Sequence, residues 1–223
     1  MSRQTAAPAA RLAEAATPLE VRPLRRDAEL NLERILVAAR DLFAEKGYEV
    51  SMEQIAARAG VGIGTLYRRF PNKEDLLGAV TDAAFERTRQ LAERALAEEP
   101  PGEAIFTFLR QCAATPSSWR VVSARRPWPG AGPGALVARI APLVERLLAN
   151  AREAGTLRPD VTYTDVSIAL MGVRAAADVC AETAPDAWRR HLELVIDGLA
   201  PGGRPLGGRP MSRAQLVQAL SGD

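Results

Sequence analysis

Cysteine and histidine are scarce in this chain, with two Cys and one His among 223 residues. Cys112 and Cys180 lie far apart in the sequence, giving neither a disulfide framework nor a metal-ligand spacing. Two structural thiols suit a reducing compartment, so the cytoplasm is the expected location. His191 has Glu193 and Asp197 for neighbours, ordinary helix-surface charges, and no serine or cysteine nearby in a nucleophile motif. A phosphate loop is missing, and so is a Gly-x-Gly-x-x-Gly turn after a strand. An enzyme is therefore not expected, nor is a metal or a cofactor. Apolar runs fall short of the roughly 20 residues that span a bilayer, so no membrane is expected as a partner. Charge of one sign is lacking too. A formal net charge of +2 rules out a general polyanion binder, and any nucleic-acid affinity must come from a local patch.

What is present is helical periodicity. Leu32, Ile35, Leu36, Ala39, Leu42 and Phe43 form a 3.6-residue stripe, which predicts a helix over 27–46 with Asp27 as N-cap and Gly47 just past its end. Ser51 followed by Gln54 is a capping box that starts a second, short helix with Ile55, Ala56 and Ala59 on one face. Gly60-Val61-Gly62 then supplies a tight turn. Beyond it, residues 63–70 place Leu66 and Phe70 on a buried face, leaving Gly64, Thr65, Tyr67, Arg68 and Arg69 outward. Those are groups that touch base edges and phosphates. The pattern is a helix-turn-helix whose second helix fits the major groove of double-stranded DNA. Arg22, Arg25 and Arg26 precede it and are either a basic arm reaching for DNA or a solvated leader.

Residues 34–77, RILVAARDLFAEKGYEVSMEQIAARAGVGIGTLYRRFPNKEDLL, resemble the N-terminal domain of the TetR family of bacterial transcriptional regulators. The resemblance rests on Ala-x-x-Leu-Phe-x-x-x-Gly-Tyr, Ile-Ala-x-x-Ala-Gly-Val, Thr-Leu-Tyr and Phe-x-x-Lys-x-x-Leu, in that order. It implies that Ile63, Gly64, Thr65 and Arg68 face bases, and that Ser51, Tyr67, Arg69 and Lys73 hold phosphates. Arginine suits the first role because its fork bonds guanine O6 and N7 together. One departure stands out: Gly62 occupies a place where the family often has serine, so a capping hydroxyl is missing.

The remainder reads as helices without a strand pattern, so the expected fold is all-α. The expected organisation is a flexible leader (1–23), a three-helix DNA-binding domain (24–74), a helical ligand-binding and dimerisation domain (75–200) and a flexible tail (201–223). Helices are predicted from Lys73 to Glu98, over 103–114 and 136–154, after the Thr162/Asp165 capping box, and from Pro185 onward, with a loose one over 212–220. An irregular stretch at 115–134 carries Trp119 and Trp128. The last two long helices carry small residues and an apolar stripe, and the resemblance implies that they pair with a second copy. Ala169, Gly172, Trp188, Leu192, Val195, Ile196 and Leu199 are the expected homodimer interface. Reading a palindromic operator requires two recognition helices, hence a homodimer. The resemblance also implies a small-molecule effector of unknown identity, whose expected pocket is Phe106, Trp119, Trp128, Met171 and Arg174. The expected function is a repressor released by that ligand. A DNA-binding dimer without induction, controlled by a partner or acting constitutively, is the alternative.

Overall fold

The computed structural model describes residues 21–115 and 132–221, which form nine α-helices and no strand. In chain order these are α1 (Val21–Lys46), α2 (Met52–Ala59), α3 (Ile63–Arg69), α4 (Lys73–Glu98), α5 (Ala104–Ala114), α6 (Gly132–Glu153), α7 (Tyr163–Cys180), α8 (Ala187–Gly198) and α9 (Arg213–Ser221). Trp119, Trp128 and the side chains of Arg22, Arg25 and Arg26 lie outside the described residues.

The helix ends follow local chemistry. At α2 the Gln54 amide donates to Ser51 Oγ (3.2 Å) and the Ser51 amide donates to Gln54 Oε1 (3.0 Å), the reciprocal pair its sequence predicts. Such a cap contributes about 1 kcal/mol. The helix stops at Gly60, whose φ of +65° is a left-handed conformation that glycine adopts without a Cβ penalty. Its amide and that of Val61 close back on the carbonyls of Ala57 and Ala56, at 3.2 and 3.0 Å. Asn72 caps α4 through a 2.7 Å bond from the Asp75 amide, and Thr162 with Asp165 boxes the start of α7. At α1 the expectation needs correction. Residues Val21–Lys46 are helical throughout, so Asp27 lies inside the helix and is not its cap.

Two cores result. One gathers Ile35, Leu42 and Phe43 of α1, Ile55 of α2, Leu66 of α3 and Leu76, Leu77 and Val80 of α4. The other gathers Leu91, Ala92 and Ala95 of α4 with Ile105, Phe108 and Leu109 of α5, Val144, Leu147 and Leu148 of α6, Val166 of α7 and Leu199. Helix α4 therefore belongs to both. Outside the cores it is tied to α6 by Glu86, which accepts from Arg89 Nη2 at 2.6 Å and from Arg139 at 3.1 Å. These arginines, Arg89 first, hold the Glu86 carboxyl down at about 2.

The predicted apolar stripe on α8 divides between two faces. Leu192 is 3% exposed and Leu199 is buried in the second core, with Ile196 packed against it, so these point into their own subunit. This corrects the expectation that the whole stripe faces a second copy. A helix lying on a core must turn one face inward, and in this helix Leu192, Ile196 and Leu199 take it.

After α8 the chain returns across the second core. Arg158, buried, donates from Nε to Asp160 Oδ1 (2.6 Å), from Nη1 to the Gly198 carbonyl (3.4 Å), and from Nη2 to Asp160 Oδ2 (3.1 Å) and the Arg204 carbonyl. Asp160 Oδ2 also accepts from the Leu206 amide at 2.9 Å. A bidentate arginine pair of this kind is strongly directional. It fastens residues 198–206 to the α6–α7 connection. Arg158 and the Leu206 amide together hold the Asp160 carboxyl at about 2, below its ordinary value. Because that pKa is depressed in the folded chain, its stabilisation is complete above the unfolded pKa near 4 and is lost as pH falls toward 2. Asp160→Asn should release the strap at neutral pH. Limited chymotrypsin digestion followed by mass spectrometry checks this, with faster cleavage after Leu206 expected while the core stays resistant.

Candidate nucleic-acid interface and ligand cavity

Helix α3 is positioned by its buried side. Leu66 is fully buried in the first core, and Phe70, its C-cap, sits there too with its amide donating to the Leu66 carbonyl at 2.8 Å. Fixing those two residues fixes which way the rest of the helix faces. Ile63, Gly64, Tyr67, Arg68 and Arg69 are all exposed, and Thr65 is half-buried. Arg68 Nη2 donates to Thr65 Oγ1 at 3.1 Å, one turn back, which orients the guanidinium along the outer face. Gly62 precedes α3 as an N-cap with no side-chain hydrogen bond, as its lack of a hydroxyl requires.

Ser51 and Lys73 stand at the starts of α2 and α4. Ser51 is half-buried; its hydroxyl accepts within the capping box and also serves the Glu53 carboxylate, whose pKa is lowered by the Glu53 amide and by this hydroxyl. Lys73 is more constrained than its sequence position suggests. Its Nζ donates to the Tyr48 carbonyl at 2.8 Å and lies 4.3 Å from the centre of the Tyr48 ring. The Tyr48 hydroxyl in turn donates to the Glu74 carboxylate, and its ring stacks on Phe43 with centroids 6.5 Å apart. Tyr48 thus positions Lys73, a role that sequence reading missed. The Gly-Tyr pair was visible as a motif, but its partner is 25 residues away and only the fold joins them.

Gly64 is the unusual member of the outer face. It sits within a helix, and a Cβ built on it would meet nothing within 4 Å. Glycine there costs about 0.5–1 kcal/mol relative to alanine. The free protein gains nothing in return. A surface approached closely by another molecule is the physical setting in which a missing Cβ is useful.

Beside the second core lies a partly open cavity of about 180 Å³ between α4, α5, α6, α7 and α9. Phe85, Phe108, Met171 and Leu216 give it apolar walls, and Tyr163, Ser167 and Arg174 are polar groups on one side of it. Of the expected pocket residues, Met171 and Arg174 are there. Phe106 is not. It is buried in the core, while Phe108, two residues along and on another face of α5, lines the cavity instead. Arg174 donates from Nη1 to the Thr115 carbonyl at 3.0 Å and from Nη2 to the Cys112 carbonyl, so it closes the C-terminal end of α5. Burial lowers the pKa of Arg174 below its ordinary value and pushes the Cys112 thiol up to about 12. A second space of about 350 Å³ opens between α1 and α4, edged by Leu32, Leu36, Arg87, Thr88 and Leu91. Thr88, Cys112 and Arg174 border both spaces.

Helices α7 and α8 leave a further apolar surface outside. Ile168, Gly172, Ala175 and Val179 repeat at helical spacing along α7, all exposed, with Val179 at 85%. Leu194 of α8 is 61% exposed beside half-buried Val195, while Ala169 and Trp188 are half-buried.

Comparison with known proteins agrees with this architecture. Residues 35–80 match the family model for bacterial regulatory proteins of the tetR family, and residues 100–201 match the C-terminal domain of SbtR-like transcriptional regulators. An HTH-type transcriptional regulator of Staphylococcus aureus is 50% identical over 54 residues, a match spanning 24% of this chain and 29% of that protein. Among solved structures, a TetR transcription regulatory protein from Mycobacterium vanbaalenii is 37% identical, covering 80% of this chain and 99% of that one, with a TM-score of 0.58. A TetR transcriptional regulator from Streptomyces coelicolor is 33% identical over 77% of this chain and 99% of its own, with a TM-score of 0.60. A gamma-butyrolactone receptor is 26% identical over 87% and 96% of the two chains, with a TM-score of 0.56. With its DNA head and its helical body both matched, and with solved relatives aligned over nearly their whole length, the chain belongs to the TetR family of transcriptional regulators.

Proposed function

We propose that the chain is a homodimeric repressor that reads a palindromic operator with α3 of each subunit and is released by a small apolar ligand bearing an acidic group. The observation that carries the DNA reading is the outer face of α3, where five exposed residues have no packing task and one of them is a glycine that weakens its own helix. Ile63, Gly64, Thr65 and Arg68 meet base edges; Ser51, Tyr67, Arg69 and Lys73 meet phosphates. Helices laid on DNA as closely as Gly64 permits gain affinity from backbone proximity.

The dimer reading rests on a face that the described residues leave exposed or half-exposed. Ala169, Gly172, Ile168 and Val179 of α7 with Trp188, Leu194 and Val195 of α8 form this apolar surface. Two such faces related by a two-fold axis make a four-helix interface and carry two heads to one duplex. Release requires a ligand that prefers the conformer unable to bind DNA. The apolar cavity, partly open to solvent, supports this reading over an uninduced dimer. Arg174, the one cation among the described residues of its lining, suits a carboxylate, and the aromatic and Met side chains suit an apolar body. The relative described as a gamma-butyrolactone receptor is a precedent for ligand recognition on this fold.

Selection of retained sequences from random duplex DNA tests the proposal directly. An enriched palindrome is expected, and binding that ignores sequence and vanishes with rising salt would refute it. On the selected operator, Gly64→Ala should raise thermal stability by about 0.5–1 kcal/mol yet weaken binding, a divergence read by melting and fluorescence anisotropy. Arg68→Ala should cost about 1–3 kcal/mol of operator binding and relax the preference at one base pair per half-site. Val179→Glu and Leu194→Glu, both surface changes in the subunit, should weaken the dimer by about tenfold or more in sedimentation velocity while leaving the monomer's melting intact.

A further inference from the structure

We propose that α9 is a movable wall of the cavity, and that the ligand enters by displacing it. This rests on the reading of the cavity as the effector site. The helix lies beyond residue 201, where the family match ends. Its start is written into the sequence, since the Gln215 amide donates to Ser212 Oγ at 3.2 Å and the Ser212 amide to Gln215 Oε1 at 2.8 Å. It therefore folds as a unit and can move as one.

Its inner face belongs to the cavity. Leu216 is 2% exposed, and together with Leu220 it closes the side of the cavity opposite α4 and α5. Its outer side is loosely seated. An open groove runs along the seam between Val137 and Ala138 of α6 and Ala214 and Val217 of α9, and Val137 borders the groove on one side and the cavity on the other. Near the start of α9, Thr164 Oγ1 donates to the Met211 carbonyl at 2.7 Å, and half-exposed Arg213 pairs with Glu145. Behind these, the strap is fastened at Arg158 and Asp160, so the helix can swing while its root stays attached. With α9 seated, the cavity of about 180 Å³ is already partly open to solvent but smaller than the 300–1,000 Å³ of an ordinary small-molecule site. Moving this one short helix enlarges it and joins it to the groove.

Cys112 gives a readout that needs no ligand. It is buried on the cavity wall, and in a full-length Cys180→Ser background it is the chain's single thiol. Its rate of reaction with N-ethylmaleimide under native conditions then reports opening. Leu216→Ala should accelerate labelling by about tenfold or more, since the leucine is the helix's main apolar anchor. Should that variant fail to fold by circular dichroism, Arg213→Glu should accelerate labelling by about two- to fivefold, and adding Glu145→Arg should restore the slow rate. An unchanged rate in the folded variants overturns the proposal. The apolar sulfonate 1-anilinonaphthalene-8-sulfonate separates it from the cavity reading. Dye binding that is faster in Leu216→Ala and abolished by Leu170→Trp, which fills the cavity, supports both. Accelerated labelling with no cavity-dependent dye binding keeps the movable wall and removes the cavity reading, whereas cavity-dependent binding with unchanged labelling keeps the cavity and removes the movable wall.

Discussion

One helix that belongs to two cores governs this molecule. Helix α4 is 26 residues long, about 39 Å at 1.5 Å per residue. Leu76, Leu77 and Val80 anchor its first part among α1, α2 and α3, while Leu91, Ala92 and Ala95 anchor its last part among the helices of the body. Neither anchor can slip without opening a close-packed core, so each end of the helix moves only with its own core. Its middle is different. Ala84 and Thr88 border the cavity and also the space beside α1, and Thr81 and Thr88 turn their hydroxyls back on the carbonyls of Leu77 and Ala84. Threonines bonded in this way slightly weaken and often bend a helix. The helix is thus softest where it passes between the two spaces.

Charge is distributed to keep this arrangement selective. Many arginines are paired within the subunit, including Arg58 with Glu45, Arg89 and Arg139 with Glu86, Arg110 with Glu193, and Arg158 with Asp160. The exposed pairs add little stability individually. What they do is spend positive charge locally, so that with a net charge of +2 the cationic side chains of α3 stand out against a nearly neutral surface. A protein of this kind finds DNA through a small patch and leaves most polyanions alone.

The sequence was most legible where chemistry is local. Both boxes, Ser51 with Gln54 and Thr162 with Asp165, lie where their three-residue spacing puts them, and the turn at Gly60 has the left-handed backbone its glycine permits. The stripe of α1 faces the core, and the outward side of α3 is the side left over by Leu66 and Phe70. Legibility failed where a helix has two apolar faces. Phe106 and Phe108 look alike in sequence, and only the packing of α5 decides which meets the cavity. Likewise Leu192 and Leu199 go to the subunit's own core while Val179 and Leu194, less prominent in the pattern, remain outside. Contacts between distant segments, such as Lys73 with Tyr48 or Arg174 with the end of α5, have no period to betray them.

The position of Arg174 at the boundary of both spaces has a thermodynamic corollary. A ligand that lowers operator affinity through this boundary is, by linkage, bound more weakly by the DNA-bound protein, and by the same factor. On the proposed reading, protein seated on its operator is then the least sensitive pool, and unbound protein responds first. The concentration at which genes switch is accordingly set by the ratio of free protein to operators as well as by the cavity itself. Two cells holding the same protein in different amounts would answer the same ligand at different doses.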